Sequence, residues 1–191
     1  MGYAPGKDLD VFVHCNRTEL DALLCYLAQY GRLDYGPYGS PRFYPEGTDE
    51  YYADIIPFYN FIVSEKPVTD IYALLSNFDF TANALGYNLK TGDFYDPVGG
   101  AEDIRNRILR AVRLDFPEKP VSPSVPLSAV SVFWFRLLHY QHKLDFHFDG
   151  QTERWVLDNS WRYSKDIAAF EKYFFKPMLS PHMSRLLKIG R

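Results

Sequence analysis

Cysteine is scarce in this chain, and long apolar runs are missing. Two cysteines in 191 residues, Cys15 and Cys25, cannot staple a disulfide scaffold, and they read as buried reduced thiols. No apolar run reaches the length of about eighteen residues that marks a membrane-spanning helix, so no membrane partner is expected. No signal peptide is visible. Internal repeats and low-complexity tracts are also lacking. Together these absences favour the cytoplasm.

What is present is a core-forming composition: 47% hydrophobic and 17% aromatic residues. Net charge is −3, unevenly spread. Residues 151–191 hold 8 basic and 4 acidic side chains, and the rest of the chain is acidic. An acidic front and a basic tail suit a cation site followed by a polyanion contact, or an ordinary solvated surface.

The informative stretch runs from Phe78 to Val112. It opens with a mostly apolar segment carrying Asp79, Thr81 and Asn83. A turn signal, Lys90-Thr91-Gly92-Asp93, leads to a short Phe94-Tyr95 strand and the break Asp96-Pro97. Gly99-Gly100 then opens a predicted helix with Ile104, Ile108, Ala111 and Val112 on one face. Glu102 and Asp103 sit in its first turn, with Arg110 and Arg113 near its end, as the helix dipole prefers.

This stretch resembles the head domain of class II CCA-adding enzymes and bacterial poly(A) polymerases. That family carries a run close to R-R-D-F-T-I-N-A-L-A-Y-N, then a turn, then D-P-x-G-G-x-x-D-L. Here Asp79-Phe80-Thr81, Asn83-Ala84-Leu85, Tyr87-Asn88, Asp96-Pro97, Gly99-Gly100, Asp103 and Ile108 fall in the same order and spacing. The resemblance implies an α+β fold: a nucleotidyltransferase-like mixed β-sheet flanked by helices, followed by an all-helical neck. It covers roughly residues 6–150, most strongly 78–112.

Upstream, Lys7 to Val13 reads as a strand in which Asp8 and Asp10 share one face while Leu9, Val11 and Val13 share the other. Two carboxylates on one face suit a solvated edge or a divalent cation; Mg²⁺ takes one or two carboxylates together with substrate phosphates. The family places its catalytic carboxylates in a K-D-x-D strand of this form. It takes a third from the next strand, where Asp54 stands within an apolar run; Asp49 and Glu50 are the alternatives. The resemblance therefore implies Asp8, Asp10 and Asp54 as catalytic and metal-binding residues for Mg²⁺ (or Mn²⁺), with Asp79 and Asn83 positioning the nucleotide.

Further elements are predicted from periodicity and breakers. Asn16 to Tyr30 is an amphipathic helix, with Asn16 or Thr18 capping its start. Leu33–Arg42 and Tyr51–Phe61 are strand-like, separated by the turn Pro45-Glu46-Gly47. Thr69–Leu75 is a short capped helix. Prolines 117, 120, 123 and 126, three apart, mark an extended linker. Leu127–Leu144 is a helix with a bulky face of Val130, Phe133, Trp134, Leu137, Leu138, Gln141 and Leu144; Arg136, Tyr140, Leu144 and Phe146 fit the family's neck helix. Two more helices follow over Ser164–Phe175 and from Ser180, the second with Met183, Leu186 and Leu187 inward and Arg185, Lys188 and Arg191 outward. His139, His142 and His147 lack metal-ligand spacing and read as surface or packing residues. The expected organisation is a head-like domain (1–116), a proline-rich linker (117–126) and a helical neck-like region (127–191).

Three family features are not matched. The glycine turn that grips triphosphate has no counterpart beyond the remnant Gly2-Tyr3-Ala4. The arginine pair is replaced by Asn77 and Phe78, which removes charge-assisted phosphate or sugar contacts. The base-reading E-D-x-x-R is replaced by Ala129-Val130-Ser131-Val132-Phe133, which has no side chain able to read a base edge by that set of hydrogen bonds. The resemblance implies a metal-dependent nucleotidyltransferase that uses a nucleoside triphosphate and acts on an RNA end, possibly tRNA. The losses keep a second expectation open, a degenerate head domain that binds RNA or protein without turnover. Transfer to a protein or small-molecule acceptor is a third.

Overall fold

The computed structural model describes residues 8–36, 38–61 and 68–187. Gly2-Tyr3-Ala4, Lys7, Lys188, Gly190 and Arg191 lie outside the described residues, as do the side chains of Leu186 and Leu187. The chain divides into two compact units, Met1–Asp70 and Ile71–Arg191. No helix among the described residues is long and apolar enough to cross a membrane.

The first unit is a four-stranded mixed sheet with one long helix. Strand β1 (Asp8–Val13) leads into α1 (Arg17–Leu27), and β2 (Gly31–Tyr35), β3 (Pro41–Pro45) and β4 (Tyr52–Pro57) follow. The order is β1-β4-β3-β2, with β1 parallel to β4 and the other pairs antiparallel. Helix α1 starts on a capping box. The Asn16 side chain accepts from the Glu19 amide at 3.0 Å, and the Glu19 carboxylate accepts from the Asn16 amide at 2.8 Å. Leu20 is its buried anchor. The single strand expected over Leu33–Arg42 is two strands, β2 and β3, because the segment around Gly36–Ser40 turns the chain back. Cys25 is exposed and Cys15 half-buried, so the expectation of two buried thiols fails for Cys25, which sits on the outer side of α1; both are free.

The second unit is built around the helix α4 (Ala129–Lys143). Ser128 caps it by accepting from the Ser131 amide at 3.2 Å. Its expected face is buried from Val130 to Leu138, but Gln141 is half-buried and Leu144 exposed where the helix ends; Val132 and Phe135 are buried as well, so most of its circumference up to His139 faces core. Trp134 is fully buried and its indole N–H donates to the Val156 carbonyl at 3.0 Å. Phe135 stacks on Phe170 at 4.8 Å. Around it stand α2 (Ile71–Leu75), the hairpin β5 (Gly86–Tyr87) and β6 (Phe94–Tyr95), α3 (Gly100–Arg105), β7 (Ile108–Leu109), β8 (Pro120–Ser122), β9 (Val125–Ser128), β10 (His147–Phe148), α5 (Gly150–Asp158), α6 (Ser160–Tyr163), α7 (Ile167–Tyr173) and α8 (Pro181–Leu187).

Two expectations need correction here. The helix opened by Gly99-Gly100 stops at Arg105 instead of running to Val112. Arg107 takes a left-handed φ of 55°, and Ile108–Leu109 leave as a strand paired in parallel with β10. The i, i+4 spacing of Ile104 and Ile108 therefore reports nothing, and Ile104 is 39% exposed. The proline-spaced segment is not an extended spacer: β8 and β9 pair as a hairpin whose Val121, Val125 and Leu127 are buried. Apolar residues between and just after the prolines supply that packing. The described residues after it are mostly helical, apart from β9's end, the two-residue β10 and an irregular stretch over 175–180.

Helix α4 ends on a Schellman arrangement. Asp145 takes φ 55°, its amide donates to the His142 carbonyl at 3.2 Å, and the Phe146 amide donates to the Gln141 carbonyl at 3.0 Å. Arg107 terminates α3 with the same left-handed turn, and its guanidinium reaches Asp145 at 3.2 Å across an exposed surface.

Of the three neighbouring histidines, only His139 is buried. Its Nδ1 accepts from the Met178 amide at 3.0 Å, and its ring lies 4.4 Å from Phe175. Burial, then the positive charges of Lys143 and Arg136, holds its pKa down to about 4. The fold therefore favours neutral His139. That stabilisation is complete above the unfolded value of about 6.5 and is lost as pH falls from there toward 4. Urea unfolding at pH 7 and pH 4.5 should show wild type losing about 1–2 kcal/mol more than His139→Gln, which keeps an acceptor but does not titrate. Equal losses would remove His139 as the cause.

Candidate nucleotide and metal site

The first unit carries the carboxylates. Register places Asp10 directly beside Asp54 on β4, and Arg42 on β3 opposite Asp54 from the other side. Partners across a ladder share a face, so Asp8, Asp10, Asp54 and Arg42 lie on one side of the sheet. Asp8 and Asp10 are both exposed. Asp54 is not: its side chain is 15% exposed and is gripped in two hydrogen bonds by Arg42, Nε to Oδ1 at 2.8 Å and Nη2 to Oδ2 at 2.9 Å. That bond to Asp54 holds the guanidinium pKa above its ordinary value. Among the described residues, no three His, Cys, Asp or Glu are gathered closely enough to hold a metal ion. The sheet thus brings Asp8, Asp10 and Asp54 to one face and commits the third to an arginine.

The second unit carries Asp79 and Asn83, four residues apart around a short 3₁₀ turn over Thr81–Asn83. One Asp79 oxygen accepts from the Asn83 amide at 2.7 Å, and the other accepts from Arg136 Nε at 2.6 Å. The Asp79 side chain is 11% exposed. Arg136 also lies over the Phe80 and Tyr140 rings, at 5.9 and 5.3 Å. The Asn83 carbonyl oxygen is buried and accepts no hydrogen bond. At Asn77, one of the positions where the family pattern has arginine, the side chain accepts from Arg113 Nη1 at 2.6 Å. Positive charge therefore reaches this region from α4 and from the segment after β7, which no local string reveals.

The remaining motif residues are architectural. Asp96 accepts from the amides of Gly100 and Ala101 at 2.6 and 3.0 Å, capping α3. Gly100 passes so close to the Thr81 carbonyl that a Cβ would sit 2.0 Å from its oxygen, so only glycine fits. Buried Asp103 accepts from Thr81 Oγ1 at 2.5 Å and from Arg110 Nε at 2.9 Å. Arg110 also donates to the Val98 carbonyl at 2.9 Å. The run from Asp96 to Asp103 is thus the clamp that seats the Asp79–Asn83 turn.

Sequence reading missed Arg42, Arg110 and Arg136 as the partners of Asp54, Asp103 and Asp79. For Arg42 a signal existed: a single cation in an otherwise apolar and aromatic hairpin strand, facing a strand with a single acid.

The fold is that of the nucleotidyltransferases. A tRNA nucleotidyltransferase complexed with a primer tRNA and an incoming ATP analog superposes with a TM-score of 0.63 at 19% identity, over 96% of this chain and 51% of that one. A CCA-adding enzyme with ATP gives 0.59 at 18% identity, over 88% and 39%. The Poly A polymerase head domain family matches residues 64–110. The multifunctional CCA protein of Stenotrophomonas maltophilia (strain R551-3) is 38% identical over 122 residues, 63% of this chain and 24% of that protein. Its counterpart in Xanthomonas oryzae pv. oryzae (strain MAFF 311018) is 32% identical over the same shares. The CCA-adding enzyme of Geobacillus sp. (strain WCH70) is 27% identical over 64% of this chain and 30% of its own length. Over these stretches the chain is similar to CCA-adding proteins and to the Poly A polymerase head domain, and it spans about a quarter of the length of the curated relatives it matches.

Proposed function

We propose that the chain carries the head-domain chemistry of a metal-dependent nucleotidyltransferase. It would move a nucleoside monophosphate from a triphosphate to an acceptor, an RNA 3′ end and most plausibly tRNA. The observation that carries this reading is the paired, solvent-open carboxylates Asp8 and Asp10 on one strand face. They are hard oxygen donors in the number that Mg²⁺ or Mn²⁺ takes when phosphates complete its shell, so the residues present fit the ion. Asp54, beside Asp10, is the third acid of the set, engaged with Arg42. When bound, the ion lowers the acceptor hydroxyl's hold on its proton and steadies the leaving pyrophosphate.

In the second unit, Asp79 fixes the Asn83 amide through its N–H and leaves the carbonyl oxygen as an unmatched acceptor. A hydroxyl or amino group of the nucleotide is the donor that completes it. Arg136, with Asp79, holds that turn in place. Residues 1–116 would act as the head and 127–191 as the neck, in the cytoplasm.

A second reading is a non-catalytic head domain that binds RNA or protein. The Arg42–Asp54 pair favours it, because an arginine already occupies the third acid. One assay separates the two: the protein with Mg²⁺ or Mn²⁺, labelled ATP or CTP, and tRNA. Label transfer that falls at least a hundredfold in Asp10→Ala supports catalysis. Retained tRNA binding with no transfer by wild type supports the second reading.

A further inference from the structure

Arg42 stands at a position of unusual commitment. Both of its hydrogen bonds to Asp54 are short, and the pair is only 19% and 15% exposed. Its guanidinium also lies 3.9 Å from the centre of the Tyr52 ring. Tyr52 is 5.3 Å from Tyr44, and Arg32 in turn lies 4.1 Å over Tyr44. Arg42 is therefore held by a carboxylate fork and an aromatic face together, and both belong to strands flanking or forming its ladder. Gly36 leaves the space: a Cβ there would come within 3.3 Å of Arg42 Nη2 and 3.6 Å of Asp54 Oδ1. The backbone, the ring and the glycine all accommodate this one pair.

We infer that Arg42 is a resident counter-ion that withholds Asp54 from a divalent metal, leaving Asp8 and Asp10 to bind the ion. A carboxylate whose two oxygens each accept from a guanidinium has its best lone-pair directions filled. To recruit it, a metal must displace a bidentate, partly desolvated contact and the ring stacking with it. The consequence is that Asp54 sets the position of Arg42, and Arg42 holds a fixed positive charge on Asp54, the carboxylate beside Asp10 that would otherwise stand as a third anionic ligand. The inference rests on the proposed metal role of Asp8 and Asp10.

Mn²⁺ alone, titrated by calorimetry without nucleotide, tests it through a double-mutant cycle. Wild type and Asp54→Asn should bind Mn²⁺ with affinities within about twofold of each other. Arg42→Met, which keeps an apolar stem over Tyr52, should bind at least fivefold tighter, and Arg42→Met/Asp54→Asn should lose that gain. If Arg42→Met tightens binding equally in the presence and absence of Asp54, the effect is only a change of local charge and the inference fails. It also fails if Asp54→Asn weakens wild type as much as it weakens Arg42→Met. Arg42→Lys, which retains charge but loses the fork, should show part of the gain with the same dependence on Asp54, and it stands in for Arg42→Met if that variant does not fold. Asp10→Asn separates the two levels. Loss of Mn²⁺ binding in Asp10→Asn with an uncoupled Arg42–Asp54 cycle overturns only this inference. Binding unaffected by Asp10→Asn, or no binding by any variant, overturns the metal reading and the inference with it.

Discussion

Arg110→Leu is expected to cost about 3–5 kcal/mol of stability in the second unit. Asp103 is 7% exposed as a residue, and its Oδ2 accepts from both Thr81 Oγ1 and Arg110 Nε. Removing the guanidinium leaves a carboxylate in the core with one hydroxyl for company. The Val98 carbonyl loses its donor at the same time. The reverse change is milder, because Arg110 is 42% exposed and can turn to water. Arg110→Leu combined with Asp103→Asn should therefore be more stable than Arg110→Leu alone, since the buried charge is gone. All three tryptophans, 134, 155 and 161, lie in the second unit, so their fluorescence follows this unit by itself. The midpoint in urea should fall by roughly 1–2 M. A double variant no better than the single one would show that the lost contacts, and not the orphaned charge, dominate.

Arg136→Leu is the second large effect, about 2–4 kcal/mol. It removes the 2.6 Å bond to Asp79 and the cation's contacts with the Phe80 and Tyr140 rings. Asp79 keeps the Asn83 amide and its neighbouring backbone N–H, at 2.7 and 3.1 Å, which is why the loss is smaller than at Arg110. Arg136→Lys should recover less than half, because a point ammonium cannot reproduce a planar group that hydrogen-bonds a carboxylate and lies over two rings. Tryptophan-monitored unfolding reads the stability. A Lys variant as stable as wild type would reduce the role of Arg136 to net charge.

The legible part of this molecule was local. The Lys7–Val13 pattern gives β1 over its described residues, and the capping signal Asn16-x-x-Glu19 gives the start of α1. The bulky periodicity after Leu127 gives α4. Motif spacing singled out Asp79 and Asn83, but not the 3₁₀ turn that brings them together. What escaped was set by residues far apart in sequence. Arg136 meets Asp79 across 57 positions and Arg42 meets Asp54 across 12, and nothing in either local string encodes the partner. The overlong helix after Gly100 failed for a different reason. Its spacing was helical, but Arg107 takes a left-handed turn and the next two residues find a better partner in β10. Periodicity cannot see a competing strand.

Arg107 and Asp145 both hold positive φ on L-residues, each just past a helix end, and both are solvent-facing. Glycine adopts that conformation without side-chain crowding, so Asp145→Gly should raise the melting temperature, with a gain of about 0.5–1 kcal/mol that a thermal melt would detect. The junction is thus a reserve of unclaimed robustness: a place where an engineer could toughen the second unit without altering any of the acids or a residue of the Asp79 turn.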